Sequence, residues 1–177
     1  MSGPFLSFVD CHAAREAFIG NRLGRLVDLI VDQGEALLRS RGATFRSTTA
    51  STMLLISERS GLSTADIARE LRQPHQLATQ RVEALLELGL VERNSDPRDG
   101  RRSVLALSPK GRTEAQLLAD VLRDADNAFR ELYTEIGTDL SEVVFAAMEE
   151  LLRCPLEERI AKGPASSNRR KAKRAKQ

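Results

Sequence analysis

The stretch from Asp96 to Gly111, DPRDGRRSVLALSPKG, sets three arginines around Pro97 and Gly100 and follows them with the alternating run Ser103-Val104-Leu105-Ala106-Leu107. Pro and Gly favour a turn and the alternation favours a strand, so Arg98, Arg101 and Arg102 should project from the tip of a β-hairpin. Guanidinium groups presented in this way suit a polyanion, and a narrow minor groove of duplex DNA is one that concentrates negative potential. Arg101 is the residue best placed to enter such a groove. Asp99, two positions earlier, would hold its guanidinium through an ion pair, while Arg98 and Arg102 would meet flanking phosphates.

Other chemistries find little support. There is no nucleophile elbow, no metal-ligand cluster and no phosphate-cradling glycine loop, so the chain does not read as an enzyme and calls for no cofactor or metal. Cys11 and His12 are adjacent, which on a helix points them about 100° apart. His75 has no second His or Cys nearby. Cys11 and Cys154 do not make a disulfide framework.

The hairpin needs elements to position it. Residues 10–40 read as one long helix with two adjacent apolar stripes, too wide for a lone surface helix, ended by Gly42. A second helix spans about 48–59 and stops at Gly61. Ser63, with Asp66 at the third position, forms a capping-box pattern that opens a short helix over 64–71. Pro74 breaks that helix and starts another over 75–88, closed by Gly89. Two helices joined by about three residues make a helix-turn-helix, and the hairpin directly after it makes a winged helix. Long helices follow, over 109–136 and from about 139 to 153. The expected fold is mainly α with a small β-hairpin wing, a winged helix-turn-helix flanked by N- and C-terminal dimerisation helices. The expected segments are an arm at 1–9, a dimerisation helix at 10–46, the DNA-binding unit at 47–108, further dimerisation helices at 109–161 and a basic, aperiodic tail at 162–177. The first and last helices keep broad apolar faces that two copies could bury against each other.

On the 75–88 helix, Ala78, Val82, Leu85 and Leu86 form the inward set. Gln76, Thr79, Gln80 and Glu83 are then left outward to face a partner, with Arg81 at the edge. Gln pairs in bidentate fashion with adenine, Thr touches a thymine methyl, and Arg reads guanine or holds a phosphate. Ser63 and Thr64 stand at a helix N-terminus, where backbone N–H groups and a hydroxyl can hold a phosphate; capping alone also accounts for Ser63.

Charge is distributed to match. The net charge of +2 hides a basic middle followed by strongly acidic helices and a basic tail. A polyanion would therefore be bound by one part of the molecule. Aromatic residues are only 4% of the chain, which disfavours stacking of single-stranded bases. No run of about eighteen apolar residues occurs, and the N-terminus lacks a positive region ahead of an apolar one, so the expected setting is the cytoplasm, with no membrane partner. The tail, with its cluster from Arg169 to Lys176, reads equally as a non-specific DNA arm and as a solvated end.

The stretches LSTADIARELRQPHQLATQRVEALLELGLVER and SDPRDGRRSVLALSPKGR resemble the multiple-antibiotic-resistance regulator (MarR) family of transcription factors. The matching features are Asp99-Gly100-Arg101 in the wing and the capped turn Ser108-Pro109-Lys110-Gly111. The resemblance implies a homodimer on a pseudo-palindromic operator, usually a repressor, with the 75–88 helix in the major groove and the wing in the adjacent minor groove. It also implies a small-molecule pocket between the dimer helices and the winged helix, where Arg15, Arg22 and Arg25 could offer charge to a phenolic or aromatic effector. Some relatives sense peroxides through an N-terminal cysteine, which puts Cys11 and Cys154 forward as redox candidates. Here Arg72 and Gln73 stand where the family's turn commonly has Gly, and Pro74-His75-Gln76 replace small hydroxylic residues. Two readings compete with the DNA-binding regulator: a winged helix used only to bind protein, and a cysteine-based redox sensor. The wing arginines argue against the former, because protein interface cores are depleted of charge.

Overall fold

The computed structural model describes residues 6–96 and 100–162. Helix α1 spans Ile19–Ser40, α2 Ser47–Glu58, α3 Thr64–Glu70 and α4 His75–Glu87. Strands β1 (Val91–Ser95) and β2 (Ser103–Leu107) follow, then α5 (Pro109–Ile136), α6 (Leu140–Arg153) and α7 (Leu156–Lys162). The chain divides into two compact units, Met1–Asp124 and Ala125–Gln177, with α5 running through the boundary.

The core of the first unit gathers around the helix-turn-helix. Met53 from α2, Ile67 from α3, Val82 and Leu85 from α4, Leu90 before β1 and Leu118 from α5 are all fully buried. Each α4 residue in this set lies on the 3.6-residue stripe that the sequence predicts. Gly42, Gly61 and Gly89 have positive φ, as the helix and loop ends at those positions require.

Two side chains fasten the surrounding helices to this core. Glu35 of α1 accepts hydrogen bonds from the Ser47 backbone N–H (2.8 Å) and hydroxyl (2.9 Å), so α1 supplies the cap that the first turn of α2 lacks. Glu114 of α5, itself buried, accepts from the Thr44 hydroxyl at 2.8 Å.

The long helix expected over 10–40 begins only at Ile19. Residues 8–18 instead form two short 3-10 turns, Phe8–Asp10 and Arg15–Phe18. The cause is Asp10. Its carboxylate accepts from the Ser7 backbone (2.8 Å) and hydroxyl (2.7 Å), then from Arg22 Nε (3.0 Å) and Arg25 (2.7 Å) on one face of α1. These bonds draw the segment back onto the helix instead of letting it continue the axis.

In the second unit, the end of α5 turns at Gly137, which has φ 69°. Asp139 then caps α6 by accepting from the Ser141 and Glu142 backbone N–H groups. The last helix expected from the sequence stops at about Arg153; the chain then starts a further helix, α7, directly after Pro155, because Pro suits the start of a new helix. No described residue from Ala125 onward is buried. Phe145, Leu152 and Ile160 are respectively 66%, 82% and 75% exposed.

Candidate nucleic-acid interface

Helix α3 opens with the expected capping box. The Ser63 hydroxyl accepts from the Asp66 backbone N–H, and the Asp66 carboxylate accepts from the Ser63 N–H at 2.9 Å. The turn into α4 closes in a Schellman arrangement, with the Gln73 N–H donating to the Ala68 carbonyl (3.0 Å) and the Arg72 N–H to that of Arg69 (3.2 Å). Arg72 fills the left-handed position at φ 48°, the place where glycine would be free of steric cost. The Arg81 guanidinium donates to the Gln73 side-chain carbonyl and so braces the turn against α4.

Helix α4 buries Ala78, Val82 and Leu85 and leaves His75, Gln76 and Gln80 exposed. Thr79 is half-buried, its hydroxyl donating to the His75 carbonyl at 3.0 Å. Ser63 and Thr64 are likewise half-buried at the start of α3. The exposed row is thus narrower than the sequence set: Gln76 and Gln80 stand out, Thr79 lies between them, and Arg81 is engaged with Gln73.

The wing is an antiparallel pair in the register Val91↔Leu107 to Ser95↔Ser103. Leu62 adds a bridge to Leu105, whose N–H donates to its carbonyl at 2.8 Å. An ion pair from Arg93 of β1 to Glu83 ties the wing to α4. Arg101 is exposed in the turn two residues before β2. Arg98 and Asp99, together with the tail beyond Lys162, lie outside the described residues.

Arg102 is engaged by three segments of the fold. It pairs with Asp66 of α3 and with Asp96 at 3.2 Å, and donates to the Gly61 carbonyl at 3.3 Å. The Ser63 hydroxyl and N–H, then Arg102 and Arg69, hold the Asp66 carboxyl well below the usual carboxylate range. Asp66 correspondingly raises the pKa of Arg102. Capping spacing reveals Asp66 in the sequence; its second role as partner to a residue 36 positions away has no local signal.

Arg15, Arg22 and Arg25 do converge, in an open groove of about 790 Å³ that Leu26, Leu29 and Cys11 also line. Arg22 and Arg25 both pair with Asp10, and the Ser7 hydrogen bonds, followed by these two arginines, hold the Asp10 carboxyl far below its ordinary range. Cys11 is exposed and Cys154 half-buried, the latter within 3.8 Å of Lys162 Nζ. Among the described residues no three His, Cys, Asp or Glu side chains group as a metal site, and no helix is long and apolar enough to cross a membrane.

A helix-turn-helix followed by a two-stranded wing and embraced by long helices defines a winged-helix protein of the kind that transcriptional regulators use. The MarR family model matches residues 45–102, so this segment is similar to that family. The fold is that of MarR-family transcriptional regulators. The transcriptional regulator BldR from Sulfolobus solfataricus is similar at 20% identity and a TM-score of 0.57, over 84% of this chain and 99% of that one. A MarR-family transcriptional regulator from Rhodococcus sp. RHA1 is 24% identical, with a TM-score of 0.53 over 80% of this chain and 94% of that one. The transcriptional repressor CouR, solved bound to a 23-mer DNA duplex, is 21% identical with a TM-score of 0.51, over 67% of this chain and 91% of that one. No curated protein matches the sequence.

Proposed function

We propose that the protein is a sequence-specific, double-stranded-DNA-binding transcriptional regulator, a ligand-responsive repressor that acts as a homodimer on a pseudo-palindromic operator. The observation that carries this reading is the rigid presentation of Gln76 and Gln80 on α4, a helix fixed by Arg93 on the wing side and by Arg81 on the turn side. A helix with a polar outward row that is locked to its surroundings can enter a major groove without further ordering cost. Arg101 would reach the neighbouring minor groove, Thr79 would touch a base edge, and Ser63 and Thr64 would approach a phosphate. Support also comes from CouR, which shares the fold and was solved on a duplex.

Exposure of apolar side chains supports the homodimer. Helices as apolar on one face as α6 do not leave residues such as Leu152 in water when a second copy can cover them. The groove at Arg15, Arg22 and Arg25 is the place for an anionic aromatic effector, which would compete with Asp10 for the two guanidinium groups.

Selection of duplexes from a random pool at near-physiological salt tests this reading. The expected product is a palindrome with half-sites about ten base pairs apart, centre to centre. Weak binding without enrichment would overturn it in favour of a protein-binding winged helix.

A further inference from the structure

We propose that Arg102 is a positioning residue: it staples the wing to the first helix of the helix-turn-helix through Asp66, and the staple sets where Arg101 meets DNA. The inference rests on the DNA-binding reading and departs from the sequence expectation that Arg102 touches a phosphate.

The geometry carries the argument. The guanidinium spans three segments: Gly61 before α3, Asp66 within α3, and Asp96 at the end of β1. The backbone of Arg102 adds a fourth tie, since its carbonyl accepts from the Asp96 N–H at 2.9 Å and closes the neck of the wing loop. Both carboxylates are well covered, with side chains 15% and 11% exposed. A cation facing two sheltered carboxylates has its charge matched inside the protein, which leaves little to gain from a phosphate. Asp66 is itself held in place, because the oxygen that meets Arg102 also accepts from the Ser63 hydroxyl at 2.6 Å and the Ser63 N–H at 2.9 Å. One capping box therefore orients the helix and the hairpin together. Arg101 precedes Arg102 directly, so a change in the neck moves the wing tip with it.

The two roles predict opposite signs for one variant. If Arg102 met a phosphate, Asp66→Asn would free it and remove a nearby negative charge, so operator binding would tighten. Arg102→Ala would then lower the salt slope by about one unit. For a staple, Asp66→Asn and Arg102→Ala each weaken binding about tenfold, and the double variant is no worse than either single one, as expected of residues acting as a unit. Arg102→Lys does not restore binding, because one ammonium cannot span the three acceptors. Asn keeps an oxygen for the Ser63 bonds, so Asp66→Asn preserves the cap if Arg102→Ala proves too unstable to purify.

Amide hydrogen exchange on the same full-length proteins gives a readout that needs no DNA: the staple requires faster exchange across 91–107 in both single variants, with α4 unchanged. An Asp66→Asn protein that binds as tightly as the wild type or tighter, losses that multiply in the double variant, or unchanged wing exchange would each overturn the inference. A wild type that selects no duplex would sink the regulator reading, and with it any role for the staple in placing Arg101; exchange would still show whether Asp66 and Arg102 hold the wing.

Discussion

The Cα of Gly111 lies against the carbonyl of Leu90, so close that a Cβ at position 111 would fall 1.8 Å from its oxygen. This contact docks the start of α5 onto the short link between α4 and β1, at the root of the wing. A methyl group there must push backbone against backbone, with no flexible side chain to yield. Gly111→Ala is expected to lower stability by about 3 kcal/mol, measured by denaturant unfolding. An unchanged midpoint would show that α5 can slide away from Leu90 at little cost.

Ser108 acts at the same junction. Its hydroxyl donates to the Gly89 carbonyl at 2.6 Å and accepts from the Gly111 N–H at 2.9 Å, while its own N–H donates to Leu90. Ser108→Ala leaves two sheltered backbone groups without a partner and should cost about 1–2 kcal/mol. Ser108→Thr keeps the capping hydroxyl and should cost less than Ser108→Ala in the same unfolding assay.

Asp10 and Asp66 make stability depend on acid. Both carboxyls are held below their ordinary value, chiefly by the hydrogen bonds of Ser7 and Ser63 respectively. The folded chain therefore binds fewer protons than the unfolded one in the acidic range, so stability rises with pH there. The contribution is full above about pH 5, where an unfolded Asp is almost wholly ionised, and is lost progressively as pH falls through the unfolded and then the folded value. Melting temperature should begin to fall as the pH drops below about 5 and should keep falling below about pH 3, because the folded carboxyls take up protons only well below the ordinary Asp range. The Asp10→Asn and Asp66→Asn variants should each show a shallower drop, and an equally steep one would place the acid sensitivity elsewhere.

On α4, Gln80→Ala should lose about 1–3 kcal/mol of discrimination at one base pair while leaving non-specific affinity unchanged. Arg101→Ala should instead weaken binding to all sequences and reduce the salt slope by about one. Competition against single-base operator variants separates the two effects. Equal loss on every sequence for Gln80→Ala would remove that residue from base readout.

For the second unit, Leu152→Glu and Val144→Glu should convert the dimer into monomer in sedimentation at micromolar concentration. Each substitution forfeits about 2 kcal/mol of apolar burial per subunit, counted twice by symmetry. A wild type that sediments as a monomer would overturn the homodimer itself.

Much of this architecture is written locally. The glycines at 42, 61, 89 and 137 mark places where the chain takes positive φ, and the Ser63–Asp66 spacing announces the start of α3. Apolar spacing identifies the buried face of α4 because each position depends only on its own turn of helix. Two features escaped. Arg72 takes a left-handed conformation that its side chain does not advertise; the Schellman bonds to Ala68 and Arg69 impose it. The segment before Ile19 reads as helix by composition, yet Asp10 is more strongly held by Ser7, Arg22 and Arg25 than by a continuing helical turn.

The candidate site divides along the same line. By itself the sequence determined the helix-turn-helix, the wing and the polar row at Gln76 and Gln80, since periodicity and turn chemistry are short-range properties of the chain. Only the tertiary structure decided which cations are engaged within the protein. Arg81 braces Gln73, Arg22 and Arg25 share Asp10, and Arg102 meets Asp66 across 36 residues. A guanidinium looks the same in a sequence whether it faces a phosphate or a carboxylate. Its partner is chosen by which acids the fold brings within reach, and that is a property of packing between distant segments.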